Sequence, residues 1–283
     1  MQFATPSQPK EFDPYLEIPC DQFKILGRSL AGIETVITIP QWNITFDTGR
    51  APDFSFPMDY LALSHWHLDH AGGLPFYLGL RRLNSLPPLK IITMPEKIAA
   101  TEKFLKGLRE VSETTIDYEI LSSAEPIPIK NNLTLKSIPS FHCAPSTGYM
   151  VNHRRNQLKP EFRGKSEIEI TAANKAGLKV SEEMQIPLFA YSGDTKWEFL
   201  ETIAAKAKYL LMECSFFGDE SEYDGVRKYG HTHILDWQRH TDLIQSEVVI
   251  MIHTSRRYSK KEIEKACQEN LPKDLLDRLI IFR

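Results

Sequence analysis

Four side chains of the types that bind divalent metal ions lie within six positions of the chain. The apolar run 60–63 precedes them, the glycine-bearing stretch 71–75 follows, and the four are His65, His67, Asp69 and His70. Imidazole and carboxylate groups together suit zinc or a similar divalent ion. A turn from a strand into a helix can direct the first two side chains at one ion and the last two at a second. The segment therefore predicts a site for two metal ions.

Other residues able to bind a metal ion or move a proton stand at or just after the ends of predicted strands. They are Asp47, His142, Asp194, Glu213 and His253. Catalytic residues concentrate on loops that a rigid scaffold holds in place, and one edge of a sheet sandwich collects many strand ends. We therefore expect these side chains to meet the 65–70 segment at one edge.

The spacing of apolar residues predicts an α/β fold for a single domain spanning residues 1–283. Runs rich in branched and aromatic residues predict strands at 35–40, 43–47, 60–64, 90–94, 134–139, 188–192, 209–213 and 248–253. Three-to-four spacing of apolar residues predicts helices at 73–83, 95–109, 196–206, 234–245 and 260–268. Strands come first and helices intervene later, which is typical of sheets packed together with helices on their outer faces.

The unbroken His-x-His-x-Asp-His motif at 65–70 resembles the signature of the metallo-β-lactamase superfamily. The resemblance implies an αββα sandwich, in which two packed mixed sheets are flanked by helices. It also implies two Zn²⁺ ions per subunit, with Mn²⁺ or another divalent ion as the alternative. In that assignment Asp194 bridges both ions, one ion binds His65, His67 and His142, and the other binds Asp69, His70 and His253.

Further motifs narrow the resemblance to short-form ribonuclease Z, and within it to the plant-type branch. The resemblance runs over nearly the whole chain and rests on the stretches 27–35, 46–52, 72–75, 158–164 and 190–195. Residues 212–216 and 229–233 stand where the family has its glutamate motif and its histidine motif. The family works as a homodimer that trims precursor tRNA at the 3′ end. The resemblance therefore implies an endoribonuclease that removes the 3′ trailer from precursor tRNA.

Three further roles are expected around the metal ions. His231, supported by Glu213, is the candidate proton donor to the departing oxygen. Asp69 or Asp194 is the candidate acceptor of the proton of the attacking water. The alternative is that Glu213 is only a strand-end charge and His231 a loop residue. Asp47 is expected beneath the metal site, where it would hold a ligating histidine in one tautomer, although an ordinary turn aspartate fits the same pattern.

Two basic stretches are candidates for contact with an anionic substrate. One stretch lies in a compact insert at about 152–185, and the other covers residues 256–265. Typical bacterial ribonuclease Z enzymes have a glycine- and proline-rich arm instead of this insert. The insert is the candidate exosite for tRNA. The candidate substrate-binding residues are Arg154, Arg155, Lys159, Arg163, Arg257 and Tyr258. The alternative is that both stretches are solvated faces without a ligand.

Composition sets outer limits on function. The net charge of −3 is mild evidence against a protein that binds nucleic acid through its whole surface. No apolar run is long enough to span a bilayer, and residues 1–14 do not resemble a secretion signal, so we expect no membrane partner and a cytoplasmic location. The four cysteines show no paired spacing, so neither disulfides nor a thiolate metal site are expected.

Three other functions could use the same metal-binding motif. A small-molecule or cyclic-nucleotide phosphodiesterase would need the metal ligands and the Glu213–His231 pair but no exosite. A lactonase or thioesterase would need the metal ligands and an apolar acyl pocket. A non-catalytic relative usually loses ligands, whereas all seven candidates are present in this chain.

Overall fold

Two β-sheets pack face to face in the computed structural model, which describes residues 15–283. The first sheet contains, in spatial order, β1 (Leu16–Pro19), β2 (Lys24–Ala31), β3 (Glu34–Ile39), β4 (Ile44–Phe46), β5 (Tyr60–Ala62), β6 (Leu89–Thr93) and β7 (Tyr118–Ser122). The second contains β8 (Ile127–Lys130), β9 (Leu133–Pro139), β10 (Thr147–Leu158), β11 (Ser181–Tyr191), β12 (Tyr209–Glu213) and β13 (Val248–Ile252). Two short strands complete the sheets, because β14 (Thr254–Ser255) pairs with β2 and β15 (Leu279–Ile281) pairs with β13.

Each sheet has an antiparallel half and a parallel half. Strands β1 to β4 are antiparallel neighbours, whereas β4 to β7 run parallel. In the second sheet β8 to β11 are antiparallel neighbours, and β11, β12, β13 and β15 run parallel. Parallel neighbours need crossover connections, which several of the helices supply. The strands β11, β12 and β13 therefore all end at the same edge.

Helices cover the outer face of each sheet. The described residues form α1 (Leu68–Ala71), α2 (Leu74–Leu83), α3 (Ile98–Ser112), α4 (Glu167–Lys175), α5 (Tyr223–Lys228), α6 (Ile234–Arg239), α7 (Lys260–Asn270) and α8 (Lys273–Leu276). Buried apolar residues of α2 and α3 pack on the first sheet, and those of α6, α7 and α8 pack on the second. The layers are therefore helix, sheet, sheet, helix.

Aromatic side chains fill the space between the two sheets. The rings of Phe46 in β4 and Phe189 in β11 stack with their centroids 5.3 Å apart, and Trp42 meets Phe189 edge to face at 5.6 Å. Each fully buried side chain of this size contributes roughly 1.5–3 kcal/mol through removal of apolar surface from water. This shared core fixes the strands whose ends carry the candidate site residues.

The 152–185 insert is a two-stranded arm with a helical tip. Strands β10 and β11 pair from Tyr149 opposite Tyr191 out to Leu158 opposite Ser181. The distal part of β10 is exposed, and α4 lies between the two strands at the tip. The helix begins at a capping box, in which the Ser166 hydroxyl accepts from the backbone N–H of Glu169 and the Glu169 carboxylate accepts from the backbone N–H of Ser166. We call residues 152–185 the arm.

Some predicted elements differ from the structure. The helix predicted at 196–206 is wrong, because the chain forms two short 3₁₀ turns at Trp197–Glu201 and Ile203–Lys206. Thr202 between them is extended, and its hydroxyl accepts from the backbone N–H of Ala204, which starts a new turn and breaks the helix. The strand predicted at 188–192 covers only the end of β11, because the outer part of that strand is polar and gives no apolar signal.

The sequence predicts neither a membrane-spanning segment nor a secretion signal. No described helix is long and apolar enough to cross a bilayer. Residues 1–14, which are predicted not to form a secretion signal, lie outside the described residues.

Candidate metal centre and catalytic site

The ends of six strands bring the candidate residues together at one edge of the sandwich, which we call the metal edge. The loops after β4 and β5 contribute from the first sheet, and the loops after β9, β11, β12 and β13 contribute from the second. These loops carry Asp47, the segment 64–70, His142, Asp194 and His253, and Glu213 is the last residue of β12. Paired strands thus hold in place side chains that are far apart in the sequence.

One group of possible metal ligands combines three imidazoles with a carboxylate. A ligand atom of each lies within 4.8 Å of the others, and the residues are His65, His67, His142 and Asp194. The Nε2 atom of His142 is 3.3 Å from Nδ1 of His67, and Nε2 of His65 is 3.6 Å from Oδ2 of Asp194. Three nitrogens and one oxygen at this separation suit a tetrahedral zinc site.

A second group lies directly beside the first. It contains Asp69, His70 and His253, whose ligand atoms also lie within 4.8 Å of one another. Oδ1 of Asp194 is 3.1 Å from Nε2 of His70 and 3.3 Å from Nε2 of His253. The two oxygens of Asp194 therefore face one group each. The structure brings together all seven residues that the sequence suggests as metal ligands, and their assignment to two ions stays a prediction.

Hydrogen-bond acceptors next to Nδ1 of two histidines fix which ring nitrogen carries the proton. The Gly230 carbonyl can only accept, and it lies 3.0 Å from Nδ1 of His142, so Nδ1 donates. The carboxylate of Asp47 accepts from Nδ1 of His70 in the same way at 2.7 Å. In the neutral rings, a proton on Nδ1 leaves the lone pair of Nε2 facing the cluster.

Two serine hydroxyls impose the same tautomer on two more histidines. Ser64 Oγ donates to the nearby carboxylate and therefore accepts from Nδ1 of His65, 3.0 Å away. Ser215 Oγ donates to Oε2 of Glu213 at 2.6 Å and accepts from Nδ1 of His253 at 2.9 Å. Four Nε2 lone pairs therefore converge on the cluster, which is the tautomer that metal coordination requires.

The buried polar atoms of the cluster fit divalent metal ions. Nε2 of His65, Nε2 of His70 and Oδ1 of Asp194 are buried and have no hydrogen-bond partner among the described residues. Burial lowers the pKa of His65 to about 2, so the ring is neutral near pH 7. Imidazole nitrogens and a carboxylate oxygen that lack hydrogen-bond partners are the donor atoms expected for a divalent cation.

Asp47 holds the first-sheet side of the metal edge together. Its carboxylate accepts from the backbone N–H and the hydroxyl of Ser64, each at 2.7 Å, and from the hydroxyl of Tyr191. The residue is fully buried and has a left-handed backbone, with φ of 55°. A non-glycine residue in this conformation is strained and persists only when its surroundings fix it. Asp47 is therefore more than a turn residue, because it orients both Ser64 and His70.

The Glu213–His231 pair stands beside the metal-ligand groups. Nδ1 of His231 lies 3.0 Å from Oε1 of Glu213, and the His231 ring is 5.4 Å from the ring of His253 and 4.9 Å from that of His142. Glu213 is fully buried and also accepts from the backbone N–H of Thr195 at 2.6 Å. Burial alone would lower the pKa of His231, but the charge and hydrogen bond of Glu213 outweigh it and raise the pKa to about 9.

The candidate substrate-binding residues lie in two different places. Arg257 lies over the ring of Phe216 at 5.5 Å, and that ring is 6.2 Å from the ring of His231, so Arg257 borders the metal edge. Tyr258 donates to Glu222 at 3.1 Å close by. The structure does not bring Arg154, Arg155, Lys159 and Arg163 to this edge, because they lie on the arm, which projects from the opposite end of β11.

Sequence reasoning missed the groups that orient the metal ligands. Ser64, Ser215, Tyr191 and the Gly230 carbonyl each fix a charged or imidazole group. Their partners are distant in the sequence, as for Tyr191 and Asp47, which are 144 positions apart. Hydroxyls and carbonyls are too common to signal such a role, and only spatial proximity reveals it.

Comparison with solved structures identifies the class of protein. No protein-family model matches the sequence. YhfI from Bacillus subtilis, a metallo-β-lactamase fold protein, aligns with a TM-score of 0.63 at 13% identity over 93% of this chain and 97% of that chain. Human short-form tRNase Z aligns with a TM-score of 0.57 at 16% identity over 82% of this chain and 92% of that chain. The predicted αββα metallo-β-lactamase fold is confirmed, and its histidine and aspartate cluster makes it a divalent-metal-binding fold.

Sequence similarity gives the family within that class. The chain is 35% identical over 251 residues to tRNase Z TRZ1 of Arabidopsis thaliana, which is 86% of this chain and 89% of that protein. The chain belongs to the tRNase Z family, which confirms the predicted resemblance to ribonuclease Z. It is therefore a metal-dependent hydrolase.

Removal of divalent metal ions should destabilise the protein. A ligand at about 100 times its Kd stabilises the native state by about 2.7 kcal/mol, which corresponds to a shift of about 5–10 °C in Tm for a chain of this size. Asp194→Asn should abolish this metal-dependent shift, because Asp194 faces both ligand groups. The shift is the difference between the Tm measured with added Zn²⁺ and the Tm measured with a chelator. Asp242→Asn, at an exposed position, is the control, and an unchanged shift in Asp194→Asn would contradict the assignment.

Proposed function

We propose that this protein is an endoribonuclease that removes the 3′ trailer from precursor tRNA. The observation that carries the proposal is the Glu213–His231 pair beside a seven-residue metal-ligand cluster, in a member of the tRNase Z family. A hydrolase that expels a poor alkoxide leaving group needs a positioned proton donor as well as metal ions. A lactonase has no comparable use for the pair.

The ions that we propose are two Zn²⁺ per subunit, with Mn²⁺ or another divalent ion as the alternative. One would be held by His65, His67 and His142, the other by Asp69, His70 and His253, and Asp194 would contact both. When bound, a pair of such ions neutralises charge on the phosphate and lowers the pKa of water. Elemental analysis of the purified protein reads out their number and identity.

The chain itself supplies the proton transfers and the orientation. Glu213 holds Nδ1 of His231, which leaves Nε2 free to donate a proton to the departing oxygen. Asp69 accepts from the backbone N–H of Gly32 at 2.8 Å and is partly exposed, so its carboxylate is placed to take a proton from the attacking water. Asp47 is not a proposed metal ligand itself. It accepts a hydrogen bond from Nδ1 of His70 and so holds His70 in the tautomer required for coordination.

Loss of the proton donor should reduce tRNA cleavage more than hydrolysis of an activated ester. We expect His231→Ala and Glu213→Gln to lower the ratio of kcat/KM for 3′-extended precursor tRNA to that for bis-p-nitrophenyl phosphate by about 100-fold. The reason is that p-nitrophenolate leaves without protonation, whereas a ribose alkoxide does not. Cleavage of the precursor just after the discriminator nucleotide is the expected product of the unchanged protein.

Matched controls separate this role from general damage. His240→Ala, at a histidine stacked on Trp197 away from the cluster, should leave the ratio unchanged, whereas His67→Ala should abolish both activities. A lactone substrate tests the remaining alternative. If the unchanged protein hydrolyses the lactone or a cyclic nucleotide but leaves precursor tRNA intact, the proposed function is wrong.

The arm is the proposed exosite for tRNA. It carries seven Lys or Arg and five Asp or Glu residues, in a chain whose net charge is −3. Arg154 pairs with Glu183 at 3.7 Å, but both side chains are about half exposed, so solvent screens the pair and the guanidinium stays accessible. An exposed basic arm far from the metal edge can hold the phosphate backbone of a large RNA without blocking the cleaved bond.

Charge reversal on the arm should weaken tRNA binding and its dependence on salt. We expect the fourfold change of Arg154, Arg155, Lys159 and Arg163 to Glu to reduce the slope of log affinity against log salt by about 1 for every phosphate that the arm no longer neutralises. Reversal of four exposed lysines elsewhere gives the control with the same net charge, namely Lys103, Lys106, Lys206 and Lys273. Equal effects of the two sets on affinity and slope would argue against an exosite on the arm.

A homodimer is the proposed assembly. Helix α2 exposes Phe76 and Leu83 at 61% and 80%, and Gly79 between them faces open space. Positions 76, 79 and 83 lie on one face of the helix. Large exposed apolar side chains of this kind mark interaction surfaces, and a face of this form can pair with its own copy about a two-fold axis.

A charge on that face should separate the proposed dimer. We expect light scattering to give twice the 32.5 kDa chain mass for the unchanged protein and for Asn84→Glu, and a single chain mass for Leu83→Glu. Burial of an unpaired carboxylate at an apolar interface costs several kcal/mol, which is the reason for the expected dissociation. A monomer in the unchanged protein would rule out this assembly. The cytoplasmic location expected from the sequence stays a prediction.

A further inference from the structure

A cavity of about 460 Å³ adjoins the metal-binding segment and has no part in the chemistry described above. Its walls come from the loop that carries the metal motif, from the start of α2, and from α3. The residues that define it are Trp66, Leu68, Pro75, Lys97, Ala100 and Phe104. This volume lies in the range of small-molecule pockets.

The lining of the cavity suits a flat apolar group. The rings of Trp66 and Phe104 meet edge to face with centroids 5.8 Å apart, and Phe104 remains 43% exposed. Leu68 is 83% exposed on the same loop. Exposed aromatic and aliphatic side chains that are grouped at one cavity are typical of a ligand-binding surface. Nucleobases are flat groups that stack on such side chains.

One cationic group joins this apolar lining. Lys97 contributes to the cavity wall, and its ammonium makes no ion pair with any residue in the described range 15–283. A free cation next to apolar walls matches a nucleotide, in which a flat base is attached to an anionic phosphate. A purely apolar ligand would leave this charge without a partner.

The position of the cavity ties it to the bond that is cleaved. Trp66 lies between His65 and His67 in the sequence, and Leu68 follows directly. His67 is itself exposed at the surface of the metal edge. The cavity and the metal edge therefore share the loop 65–68.

We propose that this cavity binds the base of a nucleotide that flanks the scissile phosphodiester. The base stacks on Phe104 and contacts Leu68, and Lys97 contacts the adjoining phosphate. This inference rests on the proposed function, since it requires an RNA substrate. It adds a subsite that grips unpaired RNA next to the cleaved bond, at a place distinct from the arm.

The test combines protein variants with substrates that lack one base. Precursor tRNA is prepared with an abasic residue at each of the two positions on either side of the cleaved bond. We expect Phe104→Ala to lower the kcat/KM ratio of precursor to bis-p-nitrophenyl phosphate by about 10-fold, in the range expected when one base no longer stacks. With the unchanged protein, one of the abasic substrates should show a similar loss in this kcat/KM ratio. The abasic position in that substrate identifies the nucleotide that occupies the cavity. Phe104→Ala should cause no further loss on that substrate.

Controls keep the possible outcomes distinct. Val111→Ala, on an exposed position of α3 that does not line the cavity, should leave the ratio unchanged. If Phe104→Ala lowers kcat/KM by the same factor on every abasic substrate as on intact precursor, the proposed subsite is wrong. The proposed function is not affected by that result. A change of oligomeric state in Phe104→Ala would show that a second copy covers the cavity, which also overturns it. Absence of cleavage of intact precursor by the unchanged protein would refute the proposed function itself, and the subsite with it.

Discussion

The carboxylate of Asp194 lies buried among imidazoles that come from both sheets. A buried charge that lacks a compensating partner costs several kcal/mol, so the site has to bring positive charge to this point. The histidines around it are oriented with Nε2 lone pairs inward, because their Nδ1 atoms are held from behind. A divalent cation satisfies both the carboxylate and the lone pairs. The strained backbone at His253 and Asp47 is tolerated because it completes this arrangement.

The proposed proton donor, His231, lies outside the seven residues proposed as metal ligands. Glu213 has both oxygens engaged, by His231 and Thr195 on one and by Ser215 on the other. Ser215 in turn contacts His253, so the proposed proton donor and the metal-ligand cluster share one hydrogen-bond network. The network fixes the distance between the proton donor and the cluster. Such a fixed distance suits hydrolysis of a bond whose leaving group must be protonated as it departs.

The arm and the metal edge lie at opposite ends of the second sheet. The N–H of Thr147 donates to the Ser64 carbonyl at the metal edge, and the seven steps of extended strand from Thr147 to Arg154 span roughly 24 Å. A substrate held by the arm must therefore be large if it is to reach the metal edge of the same chain. In a dimer the arm of one chain could serve the metal edge of the other. A folded RNA fits either geometry, whereas a small phosphodiester would use only the metal edge.

The sequence by itself determined the metal-binding motif, the order of the main strands and the family, because ligand types at fixed spacing and apolar runs are local properties. It also suggested Glu213 and His231, since both stand in recognisable motifs. Only the tertiary structure decided which groups orient the ligands, because contacts such as Tyr191 to Asp47 join residues that are distant in the chain. The helix predicted at 196–206 failed because a local bond from Thr202 competes with helical pairing. The form of the arm was also invisible to the sequence, since its exposed polar strands carry no apolar periodicity, and backbone pairing alone defines them.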